Sequence, residues 1–246
     1  MNALWITRMS AYKQTPEYLK SAEQIIFHKI TRQNAILTRY KKDTFPHHVQ
    51  TFENTQHLML YEGRAAQHYW RRFHTLLPSY SDFMGRKARS TDTVNRLLDI
   101  GYHHLTNKVK RILERLQIPA DLGLLHVARN ADSTPLAYDI VELFRADIEV
   151  LTYLRRKKKE LTSLEQEDIA HFLAHINQRL ARKHYLQTFK QCHTYSYYME
   201  LQVLKFVFAV NHKREYLPIV LPSRHDSRCA LDTKVSNGKV VNEHGL

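Results

Sequence analysis

Residues 94–116, VNRLLDIGYHHLTNKVKRILERL, decide the fold class. Val94, Leu98, Tyr102, Leu105, Val109, Ile112 and Leu116 step by three or four throughout, which gathers them on one stripe of an α-helix and would scatter them over both faces of a strand. Pro119 closes the pattern, because the residue before a proline is driven out of helical conformation. The same spacing recurs on both sides. Upstream, Thr15 with Pro16 and Glu17 marks a helix start, and Leu19, Ala22, Ile26, Ile30 and Leu37 form its apolar face. A second helical stretch over 52–77 carries Met59, Ala66, Tyr69, Phe73 and Leu76 toward a core. Downstream, Ser133 or Thr134 ahead of Pro135 opens a helix bearing Leu136, Ile140, Leu143 and Ile148. Ser163 and Gln166 form a capping-box pair ahead of Ile169, Phe172, Ile176 and Leu180. Residues 195–210 are apolar nearly all round, as expected of a helix buried among others.

Only 6 Gly and 7 Pro punctuate the chain, so it reads as mostly all-α, a multi-helix domain. The expected organisation is an N-terminal extension over 1–14 with at most one remnant strand at 2–8, a helical domain over 15–222 and a flexible polar tail over 223–246. Lys plus Arg number 37 against 24 Asp plus Glu, a net charge of +13 that favours polyanionic partners, nucleic acid first among them. No apolar run of roughly 18 residues is present, and residues 1–10 lack the pattern of a signal peptide; an intracellular protein without a membrane span is expected. Cys192 and Cys229 match no zinc spacing, and two free thiols in a reducing compartment are the expectation.

Asp139 and Glu142 lie three apart, so a helix places them on one face with Cβ atoms about 5–6 Å apart. They either share a cation or form a solvated acidic face, with Glu142 paired to Arg145. His126, in the apolar segment 123–127, is either a satisfied core histidine or a ligand. Glu62 stands beside Ala65-Ala66, two small residues that permit close helix approach; taken alone it is an ordinary surface glutamate. His171 and His175 lie four apart but lack the glutamate and third ligand of a zinc protease, and are expected at the surface.

Together these residues carry a resemblance. The string 61–70, YEGRAAQHYW, resembles the first motif of the CRISPR-associated integrase of spacer acquisition; Leu124-Leu125-His126 resembles its second and 136–145, LAYDIVELFR, its third. Residues 92–102, 29–37 and 216–218 add supporting similarity, and the whole resemblance covers 15–222. It implies a short form of that family: a metal-dependent DNA integrase and endonuclease in which Glu62, His126 and Glu142 hold Mg2+ or Mn2+ and Asp139 is a companion catalytic acid. Such a donor set suits hard cations, the imidazole favouring manganese. The implied reaction is attack by the 3′-hydroxyl of a short DNA duplex, the prespacer, on a phosphodiester at the leader–repeat boundary of a CRISPR array, with nuclease activity when water attacks instead.

The resemblance also implies a prokaryotic cytoplasmic setting, double-stranded DNA as partner, a homo-oligomer (a dimer or a dimer of dimers) and a small companion adaptation subunit. Arg145 is placed to hold a phosphate bidentately. Arg64, Arg71, Arg72, Arg86, Lys87, Arg89 and the run Arg155-Arg156-Lys157-Lys158-Lys159 are candidates for gripping the DNA backbone. Tyr102, with Trp70 and Tyr138, stands either as a base-stacking residue or as core. The sequence departs from the family in beginning almost at the helical domain, without most of the usual β-rich N-terminal domain, as a compact variant or a fragment would. It also has Ala146 where proline is frequent and Glu149 where aspartate is. Two other readings are a casposase-like integrase encoded by a transposon and a non-catalytic helical nucleic-acid-binding protein.

Overall fold

The computed structural model describes residues 3–46, 51–128, 130, 133–158, 163–186, 189–220 and 229, with backbone alone at 157 and 158. The regular secondary structure of the described chain is helical apart from one small hairpin. In order it forms α1 (Ala3–Tyr12), α2 (Pro16–Arg39), α3 (Thr55–His74), α4 (Thr93–Arg115) and α5 (Pro135–Val141). A 3-10 turn, Glu142–Phe144, follows, then α6 (Arg145–Lys158), α7 (Gln166–Ala181), strands β1 (Lys183–Leu186) and β2 (Gln191–Thr194), and α8 (Tyr195–His212). The strands pair antiparallel, with Lys183 opposite Thr194 and Leu186 opposite Gln191.

The 94–116 pattern becomes α4, the centre of the molecule, against which α5, α6, α7 and α8 all pack. Asp92 caps it by accepting the Asn95 backbone N–H. Val94, Leu97, Leu98, Tyr102, Leu105, Val109 and Leu113 are buried, so the last turn sends Leu113 inward and leaves Ile112 and Leu116 half covered. Gly101 is where α4 and α6 touch: a Cβ there would stand 2.3 Å from Ile148 Cγ2. A second, smaller apolar seam joins α2 to α3 through Ala22, Ile26, Ile30, Leu58 and Ala65.

Several expectations change. Residues 2–8 hold no strand: Trp5, Met9 and Tyr12, spaced four and three apart, are the buried stripe of α1, which packs on α8. The hydroxyl of Tyr12 fastens it by donating to the Arg214 carbonyl at 2.9 Å. On α3 the inward stripe runs through Leu58 and Ala65, one residue before Met59 and Ala66. The α7 cap is Glu165 with Asp168 in a reciprocal box, while the Ser163 hydroxyl donates to Glu165. The helix opened by Pro135 does not run unbroken to Ile148 but tightens into the 3-10 turn at Glu142. The outer side of α8 exposes Leu204 and Phe208. Cys192 and Cys229 are joined in a disulfide and are not free thiols. Apart from Cys229, the expected tail lies outside the described residues. No helix among the described residues is long and apolar enough to cross a membrane.

Candidate active site

Asp139 builds the site from below. It is fully buried on α5, and its carboxylate accepts the backbone N–H groups of Leu124, Leu125 (3.2 Å) and His126 (3.1 Å). His126 Nδ1 donates to the same carboxylate at 2.7 Å. One acid therefore folds the 123–126 loop onto α5 and fixes an imidazole. Gly123 is required by that closeness, since a Cβ would lie 2.6 Å from Asp139 Oδ2 and 2.7 Å from the His126 carbonyl. Burial pushes the Asp139 carboxyl up, and His126 with the loop N–H groups only partly opposes it. Burial alone would pull His126 down, but the hydrogen bond and charge of Asp139 carry it above its ordinary value.

With Nδ1 engaged, His126 turns Nε2 toward Glu142 Oε1 at 4.0 Å. Glu142 lies in the 3-10 turn, 4% exposed, and Arg145 contacts its Oε1 at 2.9 Å. Its Oε2 meets Lys29 Nζ at 2.8 Å, and Lys29 Nζ also lies 2.6 Å from Glu62 Oε1. Two carboxylates, one from α3 and one from the turn after α5, thus share a single buried ammonium delivered by α2. Burial would raise Glu142, but the Arg145 and Lys29 charges hold it down at about 2. Burial would lower Lys29, and the two glutamates more than reverse this.

Behind this layer, the Arg145 guanidinium lies over the Tyr102 ring at 4.7 Å. The Tyr102 hydroxyl donates to Glu149 Oε1 at 2.9 Å, as does Gln33 Nε2 at 3.1 Å. Burial pushes the Glu149 carboxyl up despite these donors. Further along α6, Asp147 is gripped by Arg32, Arg179 and the Tyr195 hydroxyl.

Glu62, His126, Asp139, Glu142 and Arg145 therefore lie in one cluster, linked through Lys29 and Glu142. Asp139 and Glu142 are buried, not a solvated acidic face. Among the described residues no three His, Cys, Asp or Glu side chains stand in ready-made metal-ligand geometry. The cation between Glu62 and Glu142 is the Lys29 ammonium. Lys29 is the residue that sequence reasoning passed over, although its signal was present. It interrupts the apolar face of α2 between Ile26 and Ile30, and a charge on a buried stripe requires a partner.

The basic candidates divide. Arg64 and Arg71, seven apart, are exposed on α3, and Lys87 and Arg89 are exposed before α4. Arg72 is half-buried with Asp43 3.9 Å away, Arg86 is paired to Asp99, and Arg155 is paired to Asp168 at 2.7 Å. Two nucleic-acid assignments are corrected. Arg156 is 1% exposed, its guanidinium over the Tyr80 ring. Tyr102 is buried with its hydroxyl committed to Glu149 and cannot offer its ring to a base. Lys159 lies outside the described residues, and for Lys157 and Lys158 only the helical backbone is described. Trp70 and Tyr138 are half-buried, the latter edge-on to His126. His171 and His175 are exposed on α7, as expected.

Known proteins resemble this chain in sequence and in fold. The family model for CRISPR associated protein Cas1 matches residues 2–191. The CRISPR-associated endonuclease Cas1 1 of Saccharolobus solfataricus is 28% identical over 180 residues, 66% of this chain and 50% of its own. The chain thus spans about half the length of that relative. Among solved structures, a casposase bound to integration product superposes with a TM-score of 0.75 at 20% identity, over 96% of this chain and 74% of that one. A Cas6-RT-Cas1–Cas2 complex superposes with a TM-score of 0.74 at 19% identity, over 89% of this chain and 27% of that one. At such identities the two structures speak for the mostly helical fold. The family model spans more than three quarters of the sequence and takes in all three motifs, and this chain belongs to the CRISPR associated protein Cas1 family.

Proposed function

We propose that this chain is a metal-dependent DNA endonuclease and integrase that inserts short duplexes into a CRISPR repeat array by 3′-hydroxyl transesterification. The observation that carries the reading is the meeting of Glu62 and Glu142, from separate stretches of the chain, about one buried cation with the free face of His126 beside them. The residues fit a divalent ion. Both glutamates already face a positive charge, and Glu142 Oε2 and Glu62 Oε1 converge on one point, where the Lys29 ammonium stands in for a cation. Glu62, Glu142 and His126 Nε2 would hold Mg2+ or Mn2+, hard oxygens and one imidazole suiting either. Asp139 has its oxygens taken by the loop and the imidazole, and acts as a positioning residue through His126.

Bound there, the ion would supply Lewis-acid stabilisation of charge on the phosphoryl oxygens. Arg145, held by Glu142 and seated on Tyr102, presents a fixed guanidinium for a phosphate oxygen of the substrate. One phosphodiester is exchanged for another, so no high-energy cofactor is needed. Double-stranded DNA as prespacer and leader–repeat target fits the +13 charge. Assembly as a homo-oligomer with a small companion adaptation subunit is part of the same reading, and one solved structure of similar fold is a Cas6-RT-Cas1–Cas2 complex.

The test is joining of a 3′-hydroxyl duplex to a repeat-bearing plasmid with Mn2+ or Mg2+. Glu62→Ala, His126→Ala and Glu142→Ala should each abolish joining while DNA binding persists. Full activity in any of the three removes that residue from the site. A wild-type protein that binds DNA but joins none with either ion would be a non-catalytic nucleic-acid-binding protein.

A further inference from the structure

We infer that Lys29 is the resident counter-cation of this site, holding Glu62 and Glu142 together until a divalent ion displaces its ammonium. The inference rests on the metal reading above and adds a residue to it. Lys29 shares the inward stripe of α2 with Ile26, Ile30 and Gln33, a place where an unpaired ammonium would be strongly unfavourable. Its Nζ contacts Glu62 Oε1 at 2.6 Å and Glu142 Oε2 at 2.8 Å. Those oxygens sit on different elements, so the ammonium holds α2, α3 and the 3-10 turn in register and relieves the mutual repulsion of a buried and a half-buried carboxylate.

A divalent cation bound by the same two oxygens cannot share that space with an ammonium, because the two positive charges would repel across a few ångströms in a poorly solvated pocket. Metal uptake is then an exchange. The tethered charge leaves as the ion enters, and the free protein holds metal less tightly than two glutamates and an imidazole would by themselves. A neighbouring buried carboxylate, Glu149, already feels the Lys29 charge and offers the displaced ammonium a counter-charge.

The experiment is calorimetric titration of Mn2+, without DNA, into wild type, Lys29→Met, Lys29→Arg and Glu142→Gln. Lys29→Met should bind Mn2+ at least about tenfold more tightly than wild type. Lys29→Arg should bind no tighter than wild type, and Glu142→Gln should lose binding. In thermal melts, Lys29→Met should fall below wild type without metal and gain more than wild type at saturating Mn2+, as expected of two carboxylates left without their cation. If Lys29→Met folds only with the ion, its affinity is read by chelator competition on the loaded protein. Wild-type binding combined with equal or weaker binding by Lys29→Met overturns the role of Lys29 and leaves the metal site standing. If neither protein binds Mn2+, the inference and the metal reading fall together.

Discussion

His126 Nδ1 meets Asp139 Oδ1 at 2.7 Å, and the same carboxylate collects the backbone N–H groups of three consecutive loop residues, Leu124 to His126. The imidazole is thereby fixed in the tautomer that leaves Nε2 open. Asp139→Asn keeps the shape but turns one acceptor into a donor facing N–H groups. It should lower Mn2+ affinity and joining by about 10–100-fold, the usual loss when the partner of a ligating histidine is removed. It should also lower the melting temperature, because buried N–H groups lose their acceptor. Unchanged metal affinity would show that the imidazole needs no orientation from Asp139.

Gly123→Ala should reproduce part of that defect without touching any functional group. The added methyl would press on Asp139 Oδ2 and on the His126 carbonyl, both inside 3.0 Å, so the loop must shift. We expect a loss of about 1–3 kcal/mol in stability, typical of overpacking, with a joining defect at least as large as the stability loss explains. Wild-type joining and stability would mean that the loop has slack.

Gly101→Ala, far from the loop, separates packing from chemistry. Its methyl would collide with Ile148 Cγ2 at the α4–α6 contact and should cost about 1–3 kcal/mol. Adding Ile148→Ala removes the colliding atom, so the double variant should be less destabilised than the two single losses summed. Strict additivity in melting experiments would contradict the contact.

Helical content, the longer helices and the three motifs were legible because each rests on local spacing: α4 announces itself in seven apolar residues. What lay beyond reach depends on which residues face one another. The first half of the α3 stripe is displaced by one position, while Tyr69 and Phe73 are buried as expected: Leu58 and Met59 are equally apolar, and only contact with α2 chooses Leu58. Strands β1 and β2, four residues each, are too short to show alternation. The Cys192–Cys229 bond is a spatial relation that a spacing of 37 does not reveal. The role of Lys29 needed the knowledge that Glu62 and Glu142 approach the same point on α2. Within the site, the ligand candidates followed from motif resemblance, whereas their convergence required the tertiary structure.

Asp147 predicts a pH dependence outside the metal site. Burial would raise this carboxyl, but Arg32, Arg179 and Tyr195 hold it below its ordinary value. A depressed carboxyl contributes stability that is present above its unfolded pKa of about 3.9 and is lost as pH falls through the folded value. Asp147→Asn leaves two arginines facing a neutral group and should cost about 3 kcal/mol at neutral pH, the lower end for a broken buried pair, since both guanidinium groups keep some solvent contact. The gap between variant and wild-type melting temperatures should be widest at neutral pH and close below about pH 4. A gap of constant size down to pH 3 would place the stabilisation in packing.

The basic run at 155–159 shows why charge in sequence is not charge at a surface. The helical residues 155–158 spread around most of a turn at about 3.6 residues per turn, so they cannot all share the outer face. Arg156 faces inward, and Arg155 is spent on Asp168. Electrostatic grip on DNA should then come from exposed groups such as Arg64, Arg71 and Arg89, whose guanidinium groups have no carboxylate to release among the described residues. Replacing those three with alanine should reduce the slope of log binding constant against log salt by about 0.9 for each duplex phosphate that is no longer neutralised. Arg156→Met should instead lower the melting temperature and leave the slope of the folded protein unchanged. A slope that falls with Arg156→Met and stays fixed in the triple variant would put the DNA track on α6.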